Sequence, residues 1–313
     1  MIMKLSINNI LAFLFPLLVA LLLTGFIPQG ARLDERLQLE RLKVSSASEL
    51  EAAFDRLGYH WPPQGKVPPV EVSTLPADLG KIQDVDRKKS LFFRALLPIV
   101  LAENEKLREL RGQVVELLDT GVRHLDDSQR AWLQAIAHQY KIKHDIKSAR
   151  AQHLLLRRVD VVPPALVLAQ AANESAWGTS RFSRLGNNLF GQWTYREAEG
   201  IVPLGRPEGA SYAVRSFPSI DASVRAYLRN LNTNPAYQSL RVMRAQMRDA
   251  GGALDAVALA TGLEAYSARG QAYIDELQLM MRGNRLVSLL DAVELDRSTA
   301  AFSQSRQGES TAG

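Results

Sequence analysis

No cysteine occurs in the 313 residues. That absence removes disulfide scaffolds, thiolate-bound zinc, iron–sulfur clusters and thiol nucleophiles together. Histidine is nearly as scarce: His60, His124, His138, His144 and His153 are the only five, and none follows Asp160. The C-terminal half therefore carries no histidine metal site and no Ser-His-Asp triad of its own. Acid–base chemistry there falls to carboxylates, tyrosines or amines, and neither metal nor cofactor is expected. Aromatic residues make up only 7%, against 46% hydrophobic and 23% charged, a balance that builds a packed core and excludes wholesale disorder. A mean hydropathy of −0.11 excludes a polytopic membrane protein. The net charge of +5 suits a polyanionic partner, be it nucleic acid, anionic lipid or cell-wall polymer. Nucleic acid is the weakest of these, because the basic residues are dispersed and form no reading motif.

One long apolar run is present. Residues 10–27, ILAFLFPLLVALLLTGFI, are uncharged and follow Lys4. A run of that length falls between a signal-peptide core and a membrane-spanning helix. The residues that follow, PQGARLDERL, offer no small-x-small cleavage site, so 1–30 is read as a signal anchor in the inner membrane. Arg32, Arg36, Arg41 and Lys43 come after the span, and counted literally they oppose export. The short charged start favours it. The body of the chain is expected in the periplasm, or secreted if the signal is cleaved.

Leucines 33, 37, 39 and 42 recur at helical spacing, and 31–80 reads as a juxtamembrane helix followed by a proline-rich stretch. That stretch, HWPPQGKVPPVEVSTLPADLG, has five prolines, which remove backbone donors and fix φ; it is an extended linker or an arm lying on the next domain. Residues 81–158 read as a helical extension packed on the domain that follows. A helix is predicted over 86–111, with Leu91, Ala95, Ile99 and Leu107 as its stripe and Pro98 as a kink or break. A second is predicted over 128–140, capped from among Asp126, Asp127 and Ser128. Beyond 158 the composition shifts. Pro163 and Pro164 open a small-residue helix, LVLAQAANESAW. Residues 186–217 read as loops with a small sheet, and helices follow over 217–234, 254–262 and 271–290. Residues 296–313 read as a disordered tail. The whole is mainly α with a small β contribution.

Chemistry concentrates in 169–193, AQAANESAWGTSRFSRLGNNLFGQW. On a helix begun at Pro164, Gln170, Glu174 and Trp177 share one face. A carboxyl on an alanine-rich helix, near its end at Gly178, is desolvated; that raises its pKa and keeps it protonated, as a general acid requires. Helix geometry alone favours a surface glutamate over this reading. The run Asn187-Asn188-Leu189-Phe190-Gly191 holds two buriable side chains inside a turn, which an ordinary loop does not need. The stretch ESAWGTSRFSRLGNNLFGQW resembles the signature of the bacterial glucosaminidases of glycoside hydrolase family 73: an acid in an ES-x-WG-x-S context, then an NLFG turn. Residues 65–285, including VRSFPSIDASVRAYLRNLNTNPAYQSLR and YSARGQAYIDEL, resemble the Bax-like subgroup of proteobacterial proteins.

The resemblance implies a lysozyme-like helical domain with a small β lobe beside a saccharide cleft, occupying 159–295. It implies an enzyme that cleaves β-1,4 bonds of peptidoglycan glycan strands after N-acetylglucosamine, with Glu174 as the acid. A second carboxylate is expected in the β lobe, from Glu197, Glu199 or Glu208. Glu208 is preferred because its segment, RPEGASYAV, precedes a strand-like piece; without a carboxylate in reach, the substrate's own N-acetyl group could assist. Gln170, Trp177, Asn188, Phe190, Trp193, Tyr266 and Tyr273 are the expected substrate-binding residues, with core packing or turn formation as the competing reading for each. Lytic transglycosylase chemistry on the same fold and a non-catalytic wall-binding module are the alternatives.

Overall fold

In a computed structural model, residues 38–297 are described. The expected anchor over 1–30 lies outside the described residues, as does most of the tail expected over 296–313. Among the described residues no helix is long and apolar enough to cross a membrane.

The chain begins with β1 (Glu40–Arg41) and α1 (Ala47–Arg56), the helix capped by the Ser46 side chain. The proline-rich stretch then takes the form of an arm, not a linker. Its two strands, β2 (Lys66–Val67) and β3 (Val70–Glu71), each pair in parallel: β3 with β1, and β2 with a strand near residue 295. Tyr59, Val67, Val70 and Val72 are buried, and Trp61 stacks on Phe93 with 4.7 Å between ring centroids. The stretch is part of the core and supplies no tether.

The helix predicted over 86–111 is longer and unbroken. α2 (Val85–Thr120) is capped by the Asp84 side chain and continues past Pro98 without a break. Proline costs the helix one hydrogen bond, but Leu96, Leu97, Ile99 and Val100 around it are all buried. Tertiary packing of that order decides helix stability over local propensity. α3 (Asp127–Gln139) begins with a capping box between Asp126 and Gln129. α4 (Ala149–Arg158), which the sequence pattern did not suggest, follows. Together α3, α4 and the C-terminal part of α2 enclose a small second core around Val114, Leu133, Ala137, Tyr140 and Leu155.

α5 (Pro164–Ser175) starts on two prolines, as predicted, and buries every residue from Ala165 to Ala172. It packs against α2 at the centre of the main core. α6 (Arg181–Gly186) leads into a three-stranded antiparallel sheet of β4 (Trp193–Thr194), β5 (Gly200–Ile201) and β6 (Ala213–Arg215), in the order β4-β6-β5. Then come α7 (Ile220–Thr233), α8 (Gln238–Asp249) and α9 (Ala256–Ala260), the last continuing into a 3₁₀ turn, Thr261–Tyr266. The helix predicted over 271–290 is split into α10 (Gln271–Gly283) and α11 (Leu286–Leu290) by Arg285, whose φ of 54° is left-handed. β7 (Glu294–Leu295) closes the described chain against β2.

The observed fold is mainly α with a small sheet. One core runs from Ala47 of α1 to Leu295 of β7, so the boundaries expected at 80 and 158 cut through shared packing. Asp160 ties these parts together: Arg248 reaches its carboxylate at 3.0 Å, and Arg111 and Arg244 at 3.7 Å.

Candidate active site

Glu174 stands in the last turn of α5, where the backbone leaves the helix by an uncommon route. Ala176, Trp177 and Gly178 have φ of 49°, 58° and 77° in succession. For the two residues that carry a Cβ, this conformation costs about 1–2 kcal/mol each. The neighbouring side chains hold it. The buried Ser175 hydroxyl donates to the Ala171 carbonyl at 2.6 Å and accepts from the Gly178 N–H at 2.7 Å, and the Trp177 N–H reaches back to the Ala172 carbonyl at 2.9 Å. Trp177 lays its ring edgewise against Phe92 and Phe93 of α2. A Cβ at residue 178 would sit 2.3 Å from Leu75 of the arm. The ESAWG sequence thus has a mechanical meaning: it ends α5 abruptly and fixes Glu174 on the final turn.

A hydrogen-bonded chain ends on that carboxylate. The Tyr227 hydroxyl donates to Gln170 Oε1, Gln170 Nε2 donates to the Tyr273 hydroxyl at 2.9 Å, and the Tyr273 hydroxyl acts in turn on the Glu174 carboxylate, favouring its ionised form. Gln170, Tyr227 and Tyr273 are all fully buried, so each link is made in a low dielectric and orients the next. Burial raises the Glu174 pKa above the ordinary carboxylate value; the Tyr273 hydrogen bond and the nearby Arg269 guanidinium pull it down, Glu276 pushes it up, and the net direction is upward. Glu174 is therefore a carboxyl inclined to hold its proton.

The NNLFG turn closes over this group. Gly191 has φ 62°, and a Cβ there would lie 3.2 Å from Glu174 Oε2. The Tyr266 hydroxyl donates to the Phe190 carbonyl at 2.7 Å, and the Tyr266 ring lies parallel to Tyr273, centroids 5.6 Å apart.

The residues expected to bind substrate divide into two groups. Four, Gln170, Asn188, Phe190 and Tyr273, are committed inward. Gln170 is a link in the buried chain and not a surface donor. Asn188 spends its amide donors on the Gln192 and Arg215 carbonyls, both at 2.8 Å, and accepts from the Phe190 and Gln192 N–H groups; it fastens the turn to β6. The Phe190 ring stacks on Tyr227 at 3.9 Å. Their polar groups and ring are engaged within the fold. Trp177 and Tyr266 are half-buried, Tyr273 is buried beneath Tyr266, and Trp193 of β4 is exposed beside Tyr212. Among the β-lobe carboxylates, Glu197 pairs with Arg206 and Glu199 with Arg196. Glu208 is exposed in a turn between β5 and β6.

Tyr227, Gly191, Arg269 and Glu276 were not singled out from the sequence. Tyr227 lies on the apolar face of its helix and reads as core until its hydroxyl is followed to Gln170. Glu276 stands one helical turn beyond Tyr273, a spacing that was visible; Arg269 lies over the Tyr273 ring and pairs with Glu276. Among the described residues no group of three or more His, Asp or Glu could hold a metal ion.

The family described as "Glucosaminidase: Mannosyl-glycoprotein endo-beta-N-acetylglucosaminidase" matches residues 150–286, which include Glu174, the NNLFG turn and Tyr273. With the helical fold and the desolvated carboxyl, this defines a glycoside hydrolase domain. Protein bax of Escherichia coli (strain K12) is 36% identical over 214 residues, 68% of this chain and 75% of that protein. The chain belongs to the Bax-like family of proteins with a glucosaminidase domain. The catalytic domain of the autolysin Auto from Listeria monocytogenes overlaps 53% of this chain and 89% of its own length at 19% identity and a TM-score of 0.30, a likeness too low to carry structural inference.

Proposed function

We propose that this domain hydrolyses the β-1,4 bonds of peptidoglycan glycan strands after N-acetylglucosamine, with Glu174 as the general acid. The observation that carries the reading is a single carboxyl, desolvated and hydrogen-bonded by Tyr273 under the Gly191 turn. A glycosidic oxygen leaves readily only when it is protonated as the bond breaks. A carboxyl whose pKa is raised by burial keeps that proton to higher pH than an exposed one does. The Tyr273 hydroxyl holds the carboxylate that remains and steadies it for the return of a proton.

Glu208 is the second carboxylate in this reading. Glu197 and Glu199 are engaged by arginines, whereas Glu208 is exposed and forms no ion pair among the described residues, available to activate water on the far side of the sugar. Trp193 and Tyr212 offer flat apolar faces for the glycan rings. The basic excess of the chain suits an anionic wall polymer. The same reading puts the domain in the periplasm, anchored in the inner membrane through residues 10–27; a reporter active only outside the cytoplasm, fused after Arg297, should be active, and inactivity would remove the enzyme from its substrate.

The test of the activity is digestion of purified sacculi by the full chain, with mass spectrometry of the released fragments. Free N-acetylglucosamine reducing ends are expected. Anhydro-muramic ends would assign lytic transglycosylase chemistry instead, and binding to sacculi without release would assign a wall-binding module.

A further inference from the structure

A second basic feature lies where α4 meets α8 and the segment after α3. A cavity of about 370 Å³ there is lined by Lys141, Lys143, Arg150, Arg157, Arg158 and Arg241, together with His144 and a few apolar groups. No carboxylate lines it, and none of the six cations forms an ion pair among the described residues. By contrast Arg244 and Arg248, on the same helix as Arg241, both meet Asp160.

The guanidinium groups here are also fixed in place. Arg158 donates to the Tyr140 and Lys141 carbonyls at 2.7 and 3.0 Å. Arg241, itself buried, donates to the Leu231 and Asn234 carbonyls at 2.7 and 2.8 Å. The Nε–H groups of Arg157 and Arg158 are enclosed and have no hydrogen-bond partner. Desolvation and the neighbouring Arg158 charge lower the Arg241 pKa to about 10, which leaves it charged at neutral pH. Partly desolvated like charges held together repel one another, and the repulsion is relieved when an anion enters.

We propose that this cavity is a binding site for a phosphoryl oxyanion. Six cations exceed what one carboxylate would balance, and planar guanidinium forks match the several oxygens of a phosphate. The volume accommodates a phosphate group together with part of a molecule that carries it. Inorganic phosphate and the phosphate of an anionic lipid headgroup share this chemistry.

The experiment uses the purified full chain. Sodium phosphate at 100 times its dissociation constant should raise the melting temperature by about 3 °C or more relative to sodium chloride at equal ionic strength. Lys143 and Arg150 are exposed, so K143Q/R150Q should fold normally. Loss of even one charge-assisted contact should weaken phosphate binding about tenfold or more, read by calorimetric titration. K81Q, at an exposed lysine outside the cavity, should bind as the parent chain does. Sedimentation with phosphatidylglycerol vesicles, competed by inorganic phosphate and lost in K143Q/R150Q, would identify the lipid headgroup as the source; a phosphate response without sedimentation would identify the free anion. Equal responses to phosphate and chloride, or an undiminished response in K143Q/R150Q, would overturn the proposal.

Discussion

The Tyr273 hydroxyl acts on the Glu174 carboxylate and favours its ionised form, and its removal has a signed consequence. Y273F should raise the Glu174 pKa further. The acid would then stay protonated to higher pH, and the alkaline limb of the kcat/KM profile should move upward while kcat falls through lost orientation. A limb that stays in place while kcat falls would reduce Tyr273 to packing. Glu208 allows an equally direct comparison. E208Q should reduce turnover by about 10²-fold or more, whereas E197Q and E199Q, each removing an exposed ion pair with an arginine, should do little. Equal behaviour of the three variants would favour assistance by the substrate's N-acetyl group.

At the scale of elements, the NNLFG turn closes on the carboxyl proposed as the acid. G191A forces a Cβ into a backbone of φ 62° and to 3.2 Å from Glu174 Oε2. The backbone penalty should cost roughly 1–2 kcal/mol of stability in a denaturant titration, while activity should fall well beyond that proportion because the carboxylate is displaced. Activity retained in a destabilised G191A would separate the turn from the site. The start of α5 was legible because two prolines preset its first turn, and the α3 cap because Asp126 and Gln129 have capping-box spacing. α4 and α8 were not: their sequences, ARAQHLLLRR and QSLRVMRAQMRD, carry so many arginines that the apolar stripe is thin. In the fold, Arg158, Arg241 and Arg244 bond backbone carbonyls, a role that periodicity does not register. Pro98 misled for the related reason that buried neighbours on both sides outweigh one missing hydrogen bond. Glu174 and Gly191 each carried a local signal, but their approach across 17 residues, like the Gln170–Tyr273 bond across 103, exists only once the chain is folded.

The molecule as a whole is held by one core that includes the proline-rich arm, and Asp160 joins that core to the smaller one. Burial pushes the Asp160 carboxyl up, but Arg244, Arg248 and Arg111 together outweigh it and hold the pKa below the ordinary value. A depressed folded-state pKa contributes stability that is present above the unfolded value, near 3.9, and is lost as pH falls through the folded one. D160N leaves Arg244 buried without its carboxylate and should cost about 3–5 kcal/mol, flattening that acid limb; an unchanged acid limb would place the pH dependence elsewhere. The central claim, that this scaffold exists to hold one protonated glutamate against a glycan, is tested most directly by the rate at which E174Q releases soluble fragments from purified sacculi, measured beside its melting temperature. The expected result is a loss of about 10²–10⁴-fold with the melting temperature near that of the parent chain. Release at close to the parent rate would contradict it.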